Sequence, residues 1–175
     1  MAGFQAGELR SRVSGDRALT LVELLIVVVV ASIAATLAIP LLTETDSTRL
    51  RAATRLLVAD LAFAQIESIT NAADTCVVTF DLGAASYTLA KSSTPGTPIT
   101  DPGTNQPYVV QFGSGRAAEL AGVSIQAYSL GGDNQIAFGI YGQTDQTTAA
   151  TITLQAGAMA MTVEIDPATG EASVQ

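Results

Sequence analysis

Ala18-Leu19-Thr20-Leu21-Val22-Glu23 leads into a run that stays apolar over residues 24–42, interrupted only by Ser32, Thr36 and Pro40. Nineteen residues of helix span about 28 Å, close to one bilayer core. Residues 27–30 are all valine. Lipid nevertheless forces backbone groups to pair within the segment, so a transmembrane helix is expected over residues 19–42. Pro40, near its outer end, should kink that helix or loosen one turn. Glu23 is the discordant residue. An ionised carboxylate in a membrane helix is costly, and a plain anchor gains nothing from it. Glu23 therefore points to a helix that is meant to meet a positive charge. The bland alternative is an interfacial glutamate that reaches the headgroups beside Arg17.

Upstream, residues 1–18 are polar, contain Gly3, Gly7 and Gly15, and show no apolar periodicity, as a leader would. Downstream, a helical pattern resumes over 48–71. Leu50, Ala53, Leu57, Leu61 and Ala64 form one stripe, and Leu56, Ala59, Phe63 and Ile66 a second, nearly opposite. Arg49, Asp60 and Glu67 lie between them. Two stripes fit either a helix buried on most sides or one that packs on its own sheet and on neighbouring subunits. From Thr75 the period changes to that of strands, expected at 75–81, 86–90, 108–112, 123–130, 135–140, 150–154, 158–165 and 171–174. Asp166-Pro167-Ala168-Thr169-Gly170 is a good hairpin turn between the last two. Residues 91–107 hold Pro95, Pro98, Pro102 and Pro107 and read as an exposed loop. The expected class is α+β: a long N-terminal helix, transmembrane in its first half and amphipathic in its second, packed on an antiparallel β-sheet domain over 43–175.

The 175 residues carry a formal charge of −8, only 14% of them are charged, and the mean hydropathy is +0.37, so the chain is not of the disordered class. Of its 8 basic and 16 acidic residues, three arginines and two acids lie in 1–18, leaving five bases and fourteen acids beyond. Such a domain repels phosphate backbones at long range, so nucleic acid is an unlikely partner, a local patch around Arg49, Arg51 and Arg55 apart. There is no histidine, which removes Ser-His-Asp and Cys-His catalysis and the commonest metal ligand. The single cysteine, Cys76, reads as a small core residue. Asp133, Asp145, Glu164, Asp166 and Glu171 carry oxygens suited to calcium but form no compact ligand loop, so they read as solvated surface. Met159 and Met161 read as packing, and Tyr108, Tyr128 and Tyr141 are too scattered for a stacking platform. No cofactor or metal is implied.

The motif from Ala18 to Glu23 resembles the processing site of type IV prepilins and type II secretion pseudopilins, whose usual form is Gly, then Phe-Thr-Leu-Ile/Val-Glu, then an apolar helix. Pro40 stands where these proteins commonly carry a helix-kinking proline. Arg51-Ala52-Ala53-Thr54-Arg55-Leu56-Leu57-Val58-Ala59-Asp60-Leu61 with Ala64-Gln65-Ile66-Glu67-Ser68 is similar to the helix of H-class minor pseudopilins (the GspH/FimT group). Val77-Val78-Thr79-Phe80-Asp81 and Tyr87-Thr88-Leu89 resemble that group's first hairpin. Ile136-Ala137-Phe138, Gly142, Thr151-Ile152-Thr153-Leu154 and Val163-Glu164-Ile165 with Thr169-Gly170 resemble its final strands. Ala18 replaces the usual Gly before the cut and Leu19 the usual Phe after it.

The resemblance implies a pilin-like fold and no enzymatic activity. It implies cleavage by a prepilin peptidase between Ala18 and Leu19, N-methylation of Leu19, and pairing of Glu23 with the new α-amine of a neighbouring subunit. It further implies a single-pass inner-membrane protein, N-terminus cytoplasmic and domain periplasmic, that joins other pseudopilins in a periplasmic pseudopilus, near the tip, and meets secreted cargo. Charge alone does not orient it, since Arg10, Arg12 and Arg17 before the span match Arg49, Arg51 and Arg55 after it. Two alternatives remain: a minor type IV pilin for pilus assembly or DNA uptake, and a secreted or membrane-anchored carboxylate hydrolase released by cleavage after Ala35 or Ala38.

Overall fold

The computed structural model describes residues 20–175, the side chains of 34–44 excepted. Helix α1 spans Leu21–Thr70. Thr20 starts it: its hydroxyl accepts the Glu23 N–H (3.2 Å) and its carbonyl the Leu24 N–H (3.1 Å). The first bond satisfies one of the four N-terminal donors that a helix leaves open, and the second is the first bond of the helix itself. Residues 21–33 are exposed on every side and almost entirely apolar. Ser32 hides its polarity by donating to the Val28 carbonyl (2.7 Å). Among the described residues no helix is long and apolar enough to cross a membrane. The far part of the expected 19–42 span lies outside the described side chains.

The chain divides into two compact units, Met1–Ile39 and Pro40–Gln175. In the second, α1 buries Leu50, Ala53, Leu57, Leu61 and Ala64, the first predicted stripe. Each large apolar side chain so buried contributes about 1.5–3 kcal/mol. The second stripe is not buried: Leu56 and Phe63 are half-covered, Ala59 is exposed, and Ile66 is 60% exposed. A helix buried on most sides is therefore excluded.

The strands form two antiparallel sheets. β1 (Cys76–Asp81) and β2 (Ser86–Lys91) make a hairpin in which Val78 faces Leu89 and Phe80 faces Tyr87. β3 (Thr94–Pro98) and β4 (Val109–Gln111) both pair with the outer side of β2, and β6 (Gln135–Ala137) with β1. The second sheet has the order β5 (Val123–Ser129), β7 (Ala150–Ala156), β8 (Met159–Ile165), β9 (Ala172–Val174). Both sheets and the buried stripe of α1 share one apolar core, and Phe80 meets Tyr128 across the sheets at 6.4 Å between ring centroids.

One expectation fails at residues 91–107. The segment is not an irregular loop but contains β3, followed by a closed turn in which the Asp101 N–H donates to the Gln106 carbonyl (2.8 Å). Pro95 and Pro98 are tolerated because β3 is an edge strand, where a missing N–H costs no ladder bond. A short 3-10 helix over Gly115–Leu120 was also not expected.

The turn after β8 is bound to α1. Asp166 accepts the Ala168 and Thr169 N–H groups (2.9 and 2.8 Å), and the Gln65 side-chain amide donates to the Thr169 and Gly142 carbonyls (2.6 and 2.8 Å). Gly170 sits at φ 69° with no room for a side chain, since a Cβ there would collide with the Gly142 carbonyl.

Candidate functional site

Of the residues singled out in the sequence, Ala18 and Leu19 lie outside the described residues, and Pro40 lies in α1 with its side chain outside them. Glu23 is described. It occupies the third helical position, exposed, one turn after Thr20. Thr20-Leu21-Val22-Glu23 thus has the spacing of a capping box, a local role for Glu23 that the sequence reading missed. A carboxylate in the first turn is also favoured by the positive end of the helix dipole. These effects explain why an acid is tolerated at this point. They leave its side chain exposed.

The structure assembles a second constellation that the sequence reading did not foresee. Asp60, read as a flank residue of α1, is only 3% exposed. Its carboxylate accepts from the hydroxyls of Tyr87 (2.6 Å) and Tyr108 (2.9 Å) and from Arg116 Nη2 (3.0 Å). Arg116 also donates to Asp101 (3.2 Å) and lies over the Tyr108 ring, 4.8 Å from its centroid. Phe63 stacks on the Tyr108 ring, 5.3 Å between centroids. One carboxylate of α1 thereby ties down β2, the residue before β4 and the 3-10 helix.

The electrostatics follow from burial and neighbours. Burial pushes the Tyr108 phenol up to about 12, with Arg116 opposing and Asp60 reinforcing the shift. Burial and the Asp60 charge hold Tyr87 well above the ordinary tyrosine value. At Asp101, burial is outweighed by bonds from the Gly103 N–H, the Thr104 hydroxyl and Arg116, and its carboxyl is held below the usual range. Three donors occupy both oxygens of Asp60, so it is poorly placed as a general base. The Asp60 group is a structural clasp. No three of His, Cys, Asp or Glu converge as metal ligands among the described residues. Cys76 is fully buried, and burial raises its thiol to about 11, which keeps it protonated and unreactive near neutral pH.

Arg49, Arg51 and Arg55 do not form one patch. Arg51 and Arg55 are exposed one turn apart on the same side of α1, whereas Arg49 is half-buried and turned away from them.

No family model matches the sequence, and no curated protein matches it. Among solved structures, the chain is similar to the type IV minor pilin FimU of Pseudomonas aeruginosa at 15% identity, covering 75% of this chain and 90% of that one, with a TM-score of 0.49. At that identity and superposition the likeness carries no functional weight, and the reading rests on the residues themselves.

Proposed function

We propose that this chain is a structural subunit of a type IV pilin-like filament, and more narrowly an H-class minor pseudopilin of a type II secretion system. The observation that carries the reading is the division within α1. Residues 21–33 are exposed all round and apolar but for Glu23 and Ser32, while residues 45–70 bury one stripe on the chain's own sheets and leave Ile66 and Ile69 at 60% and 50% exposure. A helix apolar on every side needs an apolar surrounding, and lipid followed by a bundle of like helices supplies one at each stage of assembly.

In this reading a prepilin peptidase cuts between Ala18 and Leu19 on the cytoplasmic side and methylates Leu19. The new α-ammonium then sits four residues from Glu23 in sequence. In a dry filament core each such cation needs a carboxylate, and Glu23 of a neighbouring subunit supplies it. Desolvation offsets much of the Coulomb gain, so the pairing sets register more than it adds stability. Pro40 lets the helix bend where the apolar and amphipathic halves join. The β domain faces the periplasm, where it meets other minor subunits near the tip, and cargo.

Mass spectrometry of the mature N-terminus tests this. Methyl-Leu19 is expected, and a chain that begins near residue 36 or 39 would replace the filament reading with that of a secreted hydrolase. Deletion separates the two filament systems: lost secretion with pili retained is expected, and the converse would make the chain a minor type IV pilin.

A further inference from the structure

The outer edge of the first sheet opens between Thr94 and Pro98. Thr94 pairs with Lys91 and Pro98 with Ala90, so Pro95, Gly96 and Thr97 face no residue of β2 and bulge out of the ladder. All three are exposed, and a side chain added at Gly96 would meet nothing within 4 Å. The bulge is nevertheless stiff. Pro95 and Pro98 have a fixed φ, and each biases the threonine before it toward extended backbone. A transferase that grips such a segment has little conformational freedom to remove.

The hydroxyls near this edge divide into two groups. Ser92 is bonded to Thr75 (2.9 Å), Ser93 donates to Asp74 (2.8 Å), and Thr104 donates to Asp101 (3.0 Å). The hydroxyls of Thr94 and Thr97 bond no group among the described residues. Thr94 still holds a ladder position opposite Lys91, whereas Thr97 stands in the unpaired bulge.

Charge decides what Thr97 can carry. Asp74 is bonded to the N–H and the hydroxyl of Ser93, at the foot of the bulge, and Lys91 is already paired with Glu67 (2.6 Å). A phosphate on Thr97 would meet a like charge and gain no cation from either neighbour. An uncharged sugar meets no such obstacle. It would also serve the edge. An outer strand is a template for pairing with other chains, charged side chains commonly block it, and β3 has none. Its two prolines block it in part, and a bulky polar group on the bulge would complete the barrier.

We propose that Thr97 is an O-glycosylation acceptor. Its Oγ1 attacks the anomeric carbon of a sugar activated as a diphosphate ester. The bond from that carbon to the diphosphate oxygen breaks, the diphosphate leaves with the electron pair, and the hydroxyl proton passes to a base of the transferase. The proposal does not rest on the filament reading and survives its failure, since a secreted hydrolase would expose the same bulge.

Mass spectrometry of the full chain, purified in non-ionic detergent from the cell that makes it, tests this through the intact mass and fragments that locate the addition. One or more sugar residues are expected on Thr97. Thr97→Val should lose the addition, Thr97→Ser should keep it because the hydroxyl is restored, and Thr94→Val should keep it as well. Both threonines are exposed, so unfolding midpoints equal to the parent's verify that the variants are folded. A bare Thr97 in the native chain overturns the proposal. So does a phosphate at Thr97, or a sugar that persists in Thr97→Val.

Discussion

Between residues 21 and 33 every side chain of α1 is exposed, whereas between 45 and 70 the same helix buries Leu50, Leu57, Leu61, Asp60 and Ser68. The first stretch is held by its own backbone bonds and by Thr20 at its start. The second is held from outside: Asp60 by Tyr87, Tyr108 and Arg116, Gln65 by the Gly142 and Thr169 carbonyls, and Ser68 by the Cys76 N–H that donates to it (2.8 Å). The contrast separates two kinds of constraint. Side chains at 45–70 are fixed by this chain's own fold, so changes there should appear as stability. Side chains at 21–33 contribute little to that fold, so changes there should appear only when an outside partner is present.

The largest expected break in that contrast is Asp60→Ala. It leaves two buried phenols, Tyr87 and Tyr108, without their common acceptor, while Arg116 keeps Asp101, and each buried polar group left unsatisfied costs about 1–3 kcal/mol. Urea unfolding of the domain should register that loss. Glu67→Ala, which breaks the half-exposed Lys91–Glu67 pair (2.6 Å), should cost about 1 kcal/mol or less. Equal effects would mean that the Asp60 clasp is not the anchor its burial implies.

The two stripes of α1 offer the next comparison. Leu57→Ala, in the buried stripe, should cost about 2–5 kcal/mol. Ile66→Ala, in the exposed one, should fall within about 0.5 kcal/mol. Under the filament reading Ile66→Ala nevertheless reduces incorporation, measured as its share of sheared pseudopili. If it destabilises the isolated subunit as strongly as Leu57→Ala, the exposed stripe has a partner within the chain.

A smaller effect should appear at alkaline pH. Tyr87 and Tyr108 keep their protons in the folded state beyond the ordinary value near 10, Tyr108 to about 12. Above about pH 10 the unfolded chain releases phenol protons that the folded chain retains, so the stability gained below that pH is lost as pH rises toward 12. Urea midpoints should be flat from about pH 8 to 10 and then fall. Tyr108→Phe should flatten the decline; an unchanged slope would place its origin elsewhere.

Much of this was legible in the residues, for reasons that also explain the failures. Ala150–Ala156 was readable because one face of the strand is buried and the period of two is visible, and Cys76-Val77-Val78-Thr79-Phe80 because its residues are β-branched or apolar, although Val77 is buried as well as its neighbours. β3 was hidden because proline argues against strand in general but not at an edge. Asp60 was placed only between the two stripes, because a helical wheel says nothing of what meets a flank residue. Its partners lie 27, 48 and 56 residues away, a distance at which local pattern carries no information.

The smallest expected change in stability, and the sharpest question, concerns Glu23. Its local role as the third residue after the Thr20 cap competes with its proposed role toward a neighbour's α-amine, and Glu23→Ala removes both. Glu23→Gln separates them, because a capping box accepts glutamine whereas an ion pair does not. Thr20→Ala does the reverse: it costs about 1 kcal/mol of local helix stability and keeps the charge. If Glu23 acts by pairing, Glu23→Gln should lose incorporation about as fully as Glu23→Ala, and Thr20→Ala should assemble nearly as the parent does. If it acts through the helix start, Thr20→Ala should be the defective chain and Glu23→Gln the competent one. Amide exchange at residues 21–24, faster in Thr20→Ala alone, would show that the cap was removed in the chain that still assembles.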